Sequence, residues 1–196
     1  GIRDLVQSRG LGDVYKRQRY DSANFFNTGS NVSNALSLST GNDKSQSYIS
    51  VATTNATGIM PNNDYDRYNF SFRNTTNFLN NKFILDTSAN YIIQNDKNMV
   101  SQGQYFNPLT SLYLFPRGED FSDVAVYERY DDLSGVNTQY WPYGDLGGVS
   151  SQNPYWIMNR MNRENDRRRY KLAASLQYNI IEGLNVQGRV SIDNTE

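Results

Sequence analysis

Strict alternation of apolar and polar residues in two neighbouring segments constrains the fold of this chain more than any other feature. Apolar residues occupy alternate positions from Tyr170 to Ile180, and the pattern resumes from Leu184 to Ile192 after the short Glu182-Gly183 turn. A period of two is typical of β-strands with one apolar face, so these segments predict an antiparallel hairpin. Polar residues fill most of the positions between them: Arg169, Lys171, Ser175, Gln177, Asn179, Asn185, Gln187, Arg189, Ser191 and Asp193.

The same alternation occurs twice earlier in the chain, so we expect hairpins over residues 31–54, 67–94 and 168–194. Their connections are alternately short and long, and the longest, residues 95–166, has no sustained period. Strands of about ten residues suit a tilted strand that crosses a bilayer, whereas strands of soluble proteins average about 5 to 6 residues. Long loops alternating with short turns are typical of outer-membrane β-barrels. The pattern therefore predicts an all-β, antiparallel transmembrane β-barrel fragment of about six strands.

The composition removes several functional classes. The 19 Lys and Arg residues are balanced by 20 Asp and Glu residues, so no basic excess exists for nucleic-acid binding. Cys and His are absent, which removes disulfides, thiolate metal ligands and the commonest general base. Chemistry would have to rest on carboxylates, Lys or Tyr, and the sequence has no G-x-S-x-G, P-loop or dinucleotide-binding motif, so we expect no catalytic residue, no metal and no cofactor. The 15 Tyr and 9 Phe residues are too many for a disordered chain, despite a mean hydropathy of −0.72.

The first eighteen residues differ in amino-acid composition from the rest of the chain. They are rich in Arg, Gly and Leu and end in Asp-Val-Tyr-Lys-Arg-Gln, which resembles translated sequencing-adapter read-through. We expect residues 1–18 to be an assembly artefact and residues 19–196 to be part of a barrel domain. No apolar segment with a cleavage site lies near the start, so we also expect an internal piece of a longer protein.

Residues 31–44 read NVSNALSLSTGNDK, and residues 58–68 read GIMPNNDYDRY. Together with the residues between them and up to residue 78, they resemble the early barrel of SusC/RagA-type TonB-linked outer-membrane transporters. In that family a strand of the form N-x-S-x-S-x-S-G-G-N-x-K leads to a Tyr-containing strand and then to G-I-x-x-x-S/N-D-Y-x-R-Y. This chain departs from the motif at Thr40, where the family usually has Gly. The resemblance as a whole extends over residues 25–196. The matching positions are Ser37, Gly41, Asn42, Lys44, Tyr48, Gly58, Ile59, Asp64, Tyr65, Arg67 and Tyr68.

The resemblance implies a 22-stranded barrel in the outer membrane of a Gram-negative bacterium, of which this chain holds about six strands. It implies import of oligosaccharides or peptides, energised through the TonB complex. A SusD-like lipoprotein would be the partner at the cell surface, and outer-membrane lipid would surround the barrel. The family's plug and TonB-contacting regions would lie outside this chain.

Two sets of residues are candidates for contact with a transported solute. Polar side chains on the strands would line the lumen: Asp86, Asn90, Gln177, Arg189 and Asp193. Aromatic residues in the long loop would contact the substrate or the lipoprotein lid: Tyr140, Trp141, Tyr143, Tyr155 and Trp156. The same aromatics could instead pack the loop onto itself. Residues expected to face lipid are Phe70, Phe72, Leu172, Leu176 and Val190.

Two other interpretations fit the alternation. A soluble carbohydrate-binding or adhesin β-sandwich would present the loop aromatics as a sugar-binding platform. A passive porin would have the same barrel without coupling to TonB. The β-sandwich would be soluble without detergent, whereas a barrel piece would need detergent or the rest of its barrel. A TonB-linked transporter would have a plug domain encoded upstream in the parent gene, whereas a passive porin would not.

Overall fold

The computed structural model describes residues 21–146 and 149–196, and the stretch expected to be an artefact, residues 1–18, lies outside them. The chain is mostly antiparallel β-structure, so the expected all-β class is confirmed at that level. It forms two compact units. We call residues 29–58, 63–97 and 163–196 the sheet unit. We call the described parts of residues 21–28, 59–62 and 98–162 the loop unit.

The sheet unit is one antiparallel meander of six strands in the order β1-β2-β3-β4-β9-β10. The strands have 12 to 18 residues, longer than the alternation alone indicated. Both β4 and β9 extend into the segment predicted as loop, so the connection between them is residues 98–163. The strand bounds are β1 Ser30–Gly41, β2 Ser45–Thr57, β3 Asp64–Phe78, β4 Phe83–Lys97, β9 Glu164–Ile181 and β10 Leu184–Thr195.

Register separates the side chains of the sheet into two chemically different faces. Leu38, Ile49, Phe72, Ala89, Leu172 and Ile192 are successive partners across all six strands. Because side chains alternate along each strand, the neighbouring row of partners lies on the other face. That row is Ser37, Ser50, Ser71, Asn90, Lys171 and Asp193. We call the two sides the apolar face and the polar face.

The connections of the meander alternate in length. Turns of three, four and two residues join β1 to β2, β3 to β4 and β9 to β10. In an antiparallel meander these turns lie at one end of the sheet, here called the turn end. The turn from β3 to β4 uses left-handed backbone at Leu79, Asn80 and Asn81. The other two connections leave from the opposite end, here called the loop end.

The loop unit is folded, whereas the sequence pattern predicted irregular structure there. It contains two helices, α1 Pro108–Leu114 and α2 Pro154–Arg160, and a 3-10 helix at Phe121–Ala125. Two short hairpins pair β5 with β6 and β7 with β8. Their bounds are β5 Glu128–Asp131, β6 Val136–Gln139, β7 Asp145–Leu146 and β8 Val149–Ser150. An N-terminal 3-10 helix, Ser22–Phe25, also belongs to this unit.

Asparagine followed by proline begins both α-helices. The side chains of Asn107 and Asn153 accept hydrogen bonds from the backbone N–H groups of Leu109 and Tyr155, at 3.0 and 2.9 Å. Proline fits the first helical turn because its missing N–H would have no partner there. These dipeptides were therefore available as helix-start signals in the sequence.

The hydrophobic core of the described chain lies in the loop unit. It gathers residues that are far apart in sequence, from the 3-10 helix near the start to α2. Within the part of the chain that the structure describes, no helix is long and apolar enough to cross a bilayer. The buried core residues are Phe25, Met60, Leu112, Phe115, Phe121, Val124, Ile157 and Met158.

Candidate functional site

The polar face of the sheet brings together all five residues predicted to contact a solute. Asp86 and Arg189 lie in one row on either side of Ser175. Asn90 and Asp193 lie two rows farther toward the loop end, on either side of Lys171. Gln177 lies in the row on the other side, paired with Ile84 and Gln187. The register thus supports a continuous polar surface, while its contact with a solute stays a prediction.

Ion pairs organise this face and involve Arg73, Arg169 and Lys171, which were not among the five predicted contact residues. The Arg73 guanidinium contacts the Asp86 carboxylate at 2.5 Å. Asp193 accepts two hydrogen bonds from Arg169, at 2.8 and 2.6 Å, and also lies 3.5 Å from the Lys171 ammonium. Because each contact joins neighbouring strands, it depends on register, which alternation within a single strand does not reveal.

Amide side chains supply neutral hydrogen-bonding groups beside these ions. Asn90 Nδ2 donates to Asn69 Oδ1 at 2.8 Å and to Ser71 Oγ at 2.7 Å. Gln177 Nε2 donates to Asn179 Oδ1 at 2.8 Å. Such groups exchange hydrogen bonds readily with water or with a polar solute. The arrangement suits reversible binding.

The apolar face presents a wide hydrophobic surface on the opposite side. Phe70, Phe72, Leu172, Leu176 and Val190, the residues predicted to face lipid, all lie on it. Leu176 is 44% exposed and Val190 is 70% exposed. Among the described residues, these large aliphatic and aromatic side chains are therefore not covered by a second layer of protein.

Charge is absent from the middle of the apolar face. Between the row of Tyr91 and Tyr170 and the row of Phe83 and Tyr178, the face carries no Asp, Glu, Lys or Arg side chain. Beyond the Tyr170 row, toward the loop end, charges begin at Arg168. Charged residues on this face are confined to that end: Asp64, Asp66, Lys97, Glu164, Asp166 and Arg168.

Polar residues inside the uncharged region satisfy one another. Asn74 Nδ2 donates to Ser47 Oγ at 2.8 Å and to Ser45 Oγ at 3.1 Å, and Thr76 Oγ1 donates to Asn74 Oδ1 at 2.7 Å. A polar group removed from water costs little when its hydrogen bonds are made within the protein. These side chains are therefore compatible with an apolar environment.

The loop aromatics are built into the loop unit. Trp141, Tyr143 and Tyr155 pack against its core, and Phe115 meets the Tyr143 ring edge to face at 4.7 Å between centroids. Burial raises the pKa of the Tyr155 phenol. The Arg129 guanidinium lies 3.4 Å from the Tyr140 ring centroid.

Trp156, the last of the five predicted contact residues, is half-buried with its ring centroid 6.5 Å from that of Tyr127. All five aromatics therefore have structural roles within the loop unit. Their contact with a substrate or lid stays a prediction.

Compared with family models and with curated proteins, the sequence matches none. Functional inference therefore rests on the residues and their geometry.

Proposed function

We propose that this chain forms part of a SusC/RagA-type TonB-linked transporter in the outer membrane of a Gram-negative bacterium. The six-stranded sheet would be a set of adjacent barrel strands, with its apolar face toward lipid and its polar face toward the lumen. One observation carries the proposal: an exposed apolar region without charge extends across all six strands, between the row of Tyr170 and the row of Tyr178. An apolar surface of that extent is unusual for a soluble monomer.

The dimensions of the uncharged region support a membrane position. Nine residues of β9, from Tyr170 to Tyr178, span it, and a tilted transmembrane strand needs about 9 to 11. Aromatic residues lie at both ends, as in the girdles that flank the apolar band of outer-membrane barrels. At the turn end, Phe83 stacks on Tyr178 with 4.6 Å between ring centroids and on Phe78 with 5.9 Å.

The outer edges of β1 and β10 require further strands in this proposal. Neither edge has a hydrogen-bonded neighbour strand among the described residues. Unpaired backbone groups are costly in hydrocarbon, so a membrane sheet has to close into a barrel. The resemblance to a 22-stranded family accounts for the strands that complete it.

Transport is assigned to the polar face and to the loop unit. The polar face would hydrogen-bond an oligosaccharide or peptide, and the loop unit would lie outside the cell, where its aromatics contact the substrate or a SusD-like lipoprotein. TonB would act through the regions of the parent protein that precede the barrel. Catalysis and cofactors have no part in this proposal.

Single-cysteine labelling tests the membrane orientation, because the natural chain has no cysteine to interfere. In the full-length parent protein reconstituted into phospholipid vesicles, with any cysteine outside these residues replaced, Leu172→Cys and Leu176→Cys would be labelled with a fluorophore, and Gln177→Cys would be the polar-face control. We expect lipid-borne quenchers to quench the first two labels and aqueous iodide to quench the third. A chain that is monodisperse without detergent and unquenched by lipid would instead be a soluble sugar-binding domain.

The transporter assignment is tested by the parent gene. Sequencing the genomic region on both sides should reveal an upstream plug domain and a SusD-like gene downstream. A barrel gene without a plug would identify a passive porin. The enzymes encoded beside the parent gene should indicate its substrate. Deleting the parent gene should abolish uptake of that substrate, and a plasmid copy of the gene should restore the uptake.

A further inference from the structure

Charge is sorted between the two faces of the sheet. The chain as a whole carries a net charge of −1, yet cations exceed anions on the polar face. The apolar face has the reverse balance, with mostly carboxylates at the loop end. The charged residues of the polar face are Arg67, Arg73, Arg167, Arg169, Lys171 and Arg189 against Asp86, Asp96 and Asp193.

The anions of the polar face already have partners. Asp86 pairs with Arg73, and Asp193 pairs with Arg169 and Lys171. Asp96 accepts hydrogen bonds from Gln94 at 3.3 Å and from Asn165 at 2.8 Å. The remaining arginines, Arg67, Arg167 and Arg189, form no ion pair with any residue of 21–146 or 149–196. These three unpaired cations face one carboxylate, Asp96, that has no cationic partner, so an excess of positive charge remains on the polar face of the described chain.

Two of these arginines lie in the same row near the loop end. Arg67 of β3 and Arg167 of β9 are both paired with Gln94 of β4, which lies between them. Adjacent strands are about 4.8 Å apart, so the two backbone positions are separated by about 10 Å. Both side chains are exposed. The row therefore offers two guanidinium groups and a neutral amide to a solute at this end of the polar face.

We propose that the Arg67-Gln94-Arg167 row selects anionic solutes that carry at least two carboxylates. This inference rests on the proposed function, since it specifies the solute class that meets the lumenal face. A guanidinium can hold a carboxylate through two parallel hydrogen bonds. A surface with one sign of excess charge also raises the local concentration of oppositely charged solutes. Repeated carboxylates occur in both acidic oligosaccharides and acidic peptides.

Calorimetric titration of the full-length parent protein in detergent micelles tests the selection. The probes are a galacturonic acid hexamer with its methyl-esterified form, and hexaglutamate with hexaglutamine. We expect at least one acidic probe to bind about tenfold more tightly than its neutral partner, with an affinity that falls as salt rises. Binding of the saccharide alone or of the peptide alone would identify which source of carboxylates is recognised.

Matched double variants locate the effect. Arg67→Gln with Arg167→Gln should weaken acidic-probe binding about tenfold, as expected when two exposed charge contacts are lost. Lys97→Gln with Arg168→Gln removes the same charge from the same end of the apolar face and should change binding less than about twofold. Arg67→Lys with Arg167→Lys retains the charge and should preserve the preference for the acidic probe, which provides a test even if the glutamine variant misfolds.

Three results would overturn the inference: equal binding of acidic and neutral probes, equal losses in the two glutamine variants, or no loss in either. Lipid quenching at Leu176→Cys in the same preparation separates this inference from the proposed function. Quenching without acidic preference refutes the anion selectivity alone. Absence of quenching refutes the membrane barrel, on which the anion selectivity depends.

Discussion

Leu176 and Gln177 are consecutive residues of β9 whose side chains lie on opposite faces of the same sheet. Leu176 is paired with Leu85 and Gly188 on the apolar face, whereas Gln177 is paired with Ile84 and Gln187 on the polar face. One step along the chain therefore separates a lipid-facing position from a water-facing position in the proposed barrel. A substitution at Leu176 and a control substitution at Gln177 would therefore lie at nearly the same depth in the membrane.

Leu176→Arg should destabilise the full-length parent protein in vesicles by about 2 to 4 kcal/mol, the range for a cation near the bilayer midplane. Gln177→Arg adds the same charge to the polar face and should change the free energy of unfolding by less than about 0.5 kcal/mol. Urea unfolding from phospholipid vesicles, followed by far-ultraviolet circular dichroism, measures both values. Equal stability of the two variants would contradict the assignment of the faces.

Gly58→Ala should destabilise the connection between β2 and β3. A Cβ at Gly58 would lie 1.7 Å from Asn63 Oδ1, and the Asn63 side chain is held by a 3.1 Å hydrogen bond from Nδ2 to the Lys97 carbonyl. Overpacking of this kind costs about 1 to 3 kcal/mol.

Gly188→Ala is the matched control in the same sheet, because its Cβ would meet no atom within 4 Å. Thermal unfolding in detergent, followed by circular dichroism, should show a lower midpoint for Gly58→Ala and an unchanged or higher midpoint for Gly188→Ala. A lowered midpoint for both variants would show that any added methyl group perturbs the sheet.

The faces of the strands were predictable because their signal is local. Alternation within a strand already places Leu172 and Lys171 on opposite sides, and the structure retains that placement. Cross-strand contacts such as Arg73 with Asp86 were not predictable, because they depend on how neighbouring strands align. Strand length was also underestimated, since charged residues at the loop end, such as Asp166, interrupt the apolar pattern within β9.

The loop unit escaped prediction for a different physical reason. Its core joins Phe25, Met60 and Val124, which come from three separate stretches of the chain. No continuous segment of the loop unit contains enough apolar residues to show a helical or strand periodicity, so the sequence pattern predicted irregular structure there. The Asn107-Pro108 and Asn153-Pro154 dipeptides were the available local signals, and each marks a helix start.

Asn153→Ala should destabilise the loop unit by about 2 to 4 kcal/mol. Asn153 is fully buried, and its Nδ2 donates to the carbonyls of Val124 and Tyr140 at 2.8 and 3.0 Å. Its Oδ1 also caps α2 through the Tyr155 N–H at 2.9 Å. The expected cost combines a lost helix cap with buried carbonyls left without partners.

Asn107→Ala removes only the cap of α1 and should cost about 1 kcal/mol. Tryptophan fluorescence reports this unit selectively, because Trp141 and Trp156 are the only tryptophans in the chain. Urea unfolding followed by fluorescence should therefore show a much lower midpoint for Asn153→Ala than for Asn107→Ala. Similar midpoints would mean that the Asn153 side chain acts only as a cap.

An ion pair within the loop unit links α2 to β5. Arg160 donates from Nε and Nη2 to the two carboxylate oxygens of Glu128, both at 2.7 Å. The Arg160 hydrogen bond lowers the pKa of Glu128 below its ordinary value. Hydrogen bonds from Ser134 and from the Leu133 backbone likewise lower the pKa of Asp131.

Acid should therefore loosen the loop unit. Because the folded-state pKa values of Glu128 and Asp131 are depressed, their stabilisation is present above the unfolded-state values and is lost as pH falls through the folded-state values, below about pH 4. The fluorescence-detected urea midpoint should fall across this range. Glu128→Gln should flatten the fall, and adding Asp131→Asn should flatten it further. A pH profile identical to that of the natural chain in both variants would show that other carboxylates control acid unfolding.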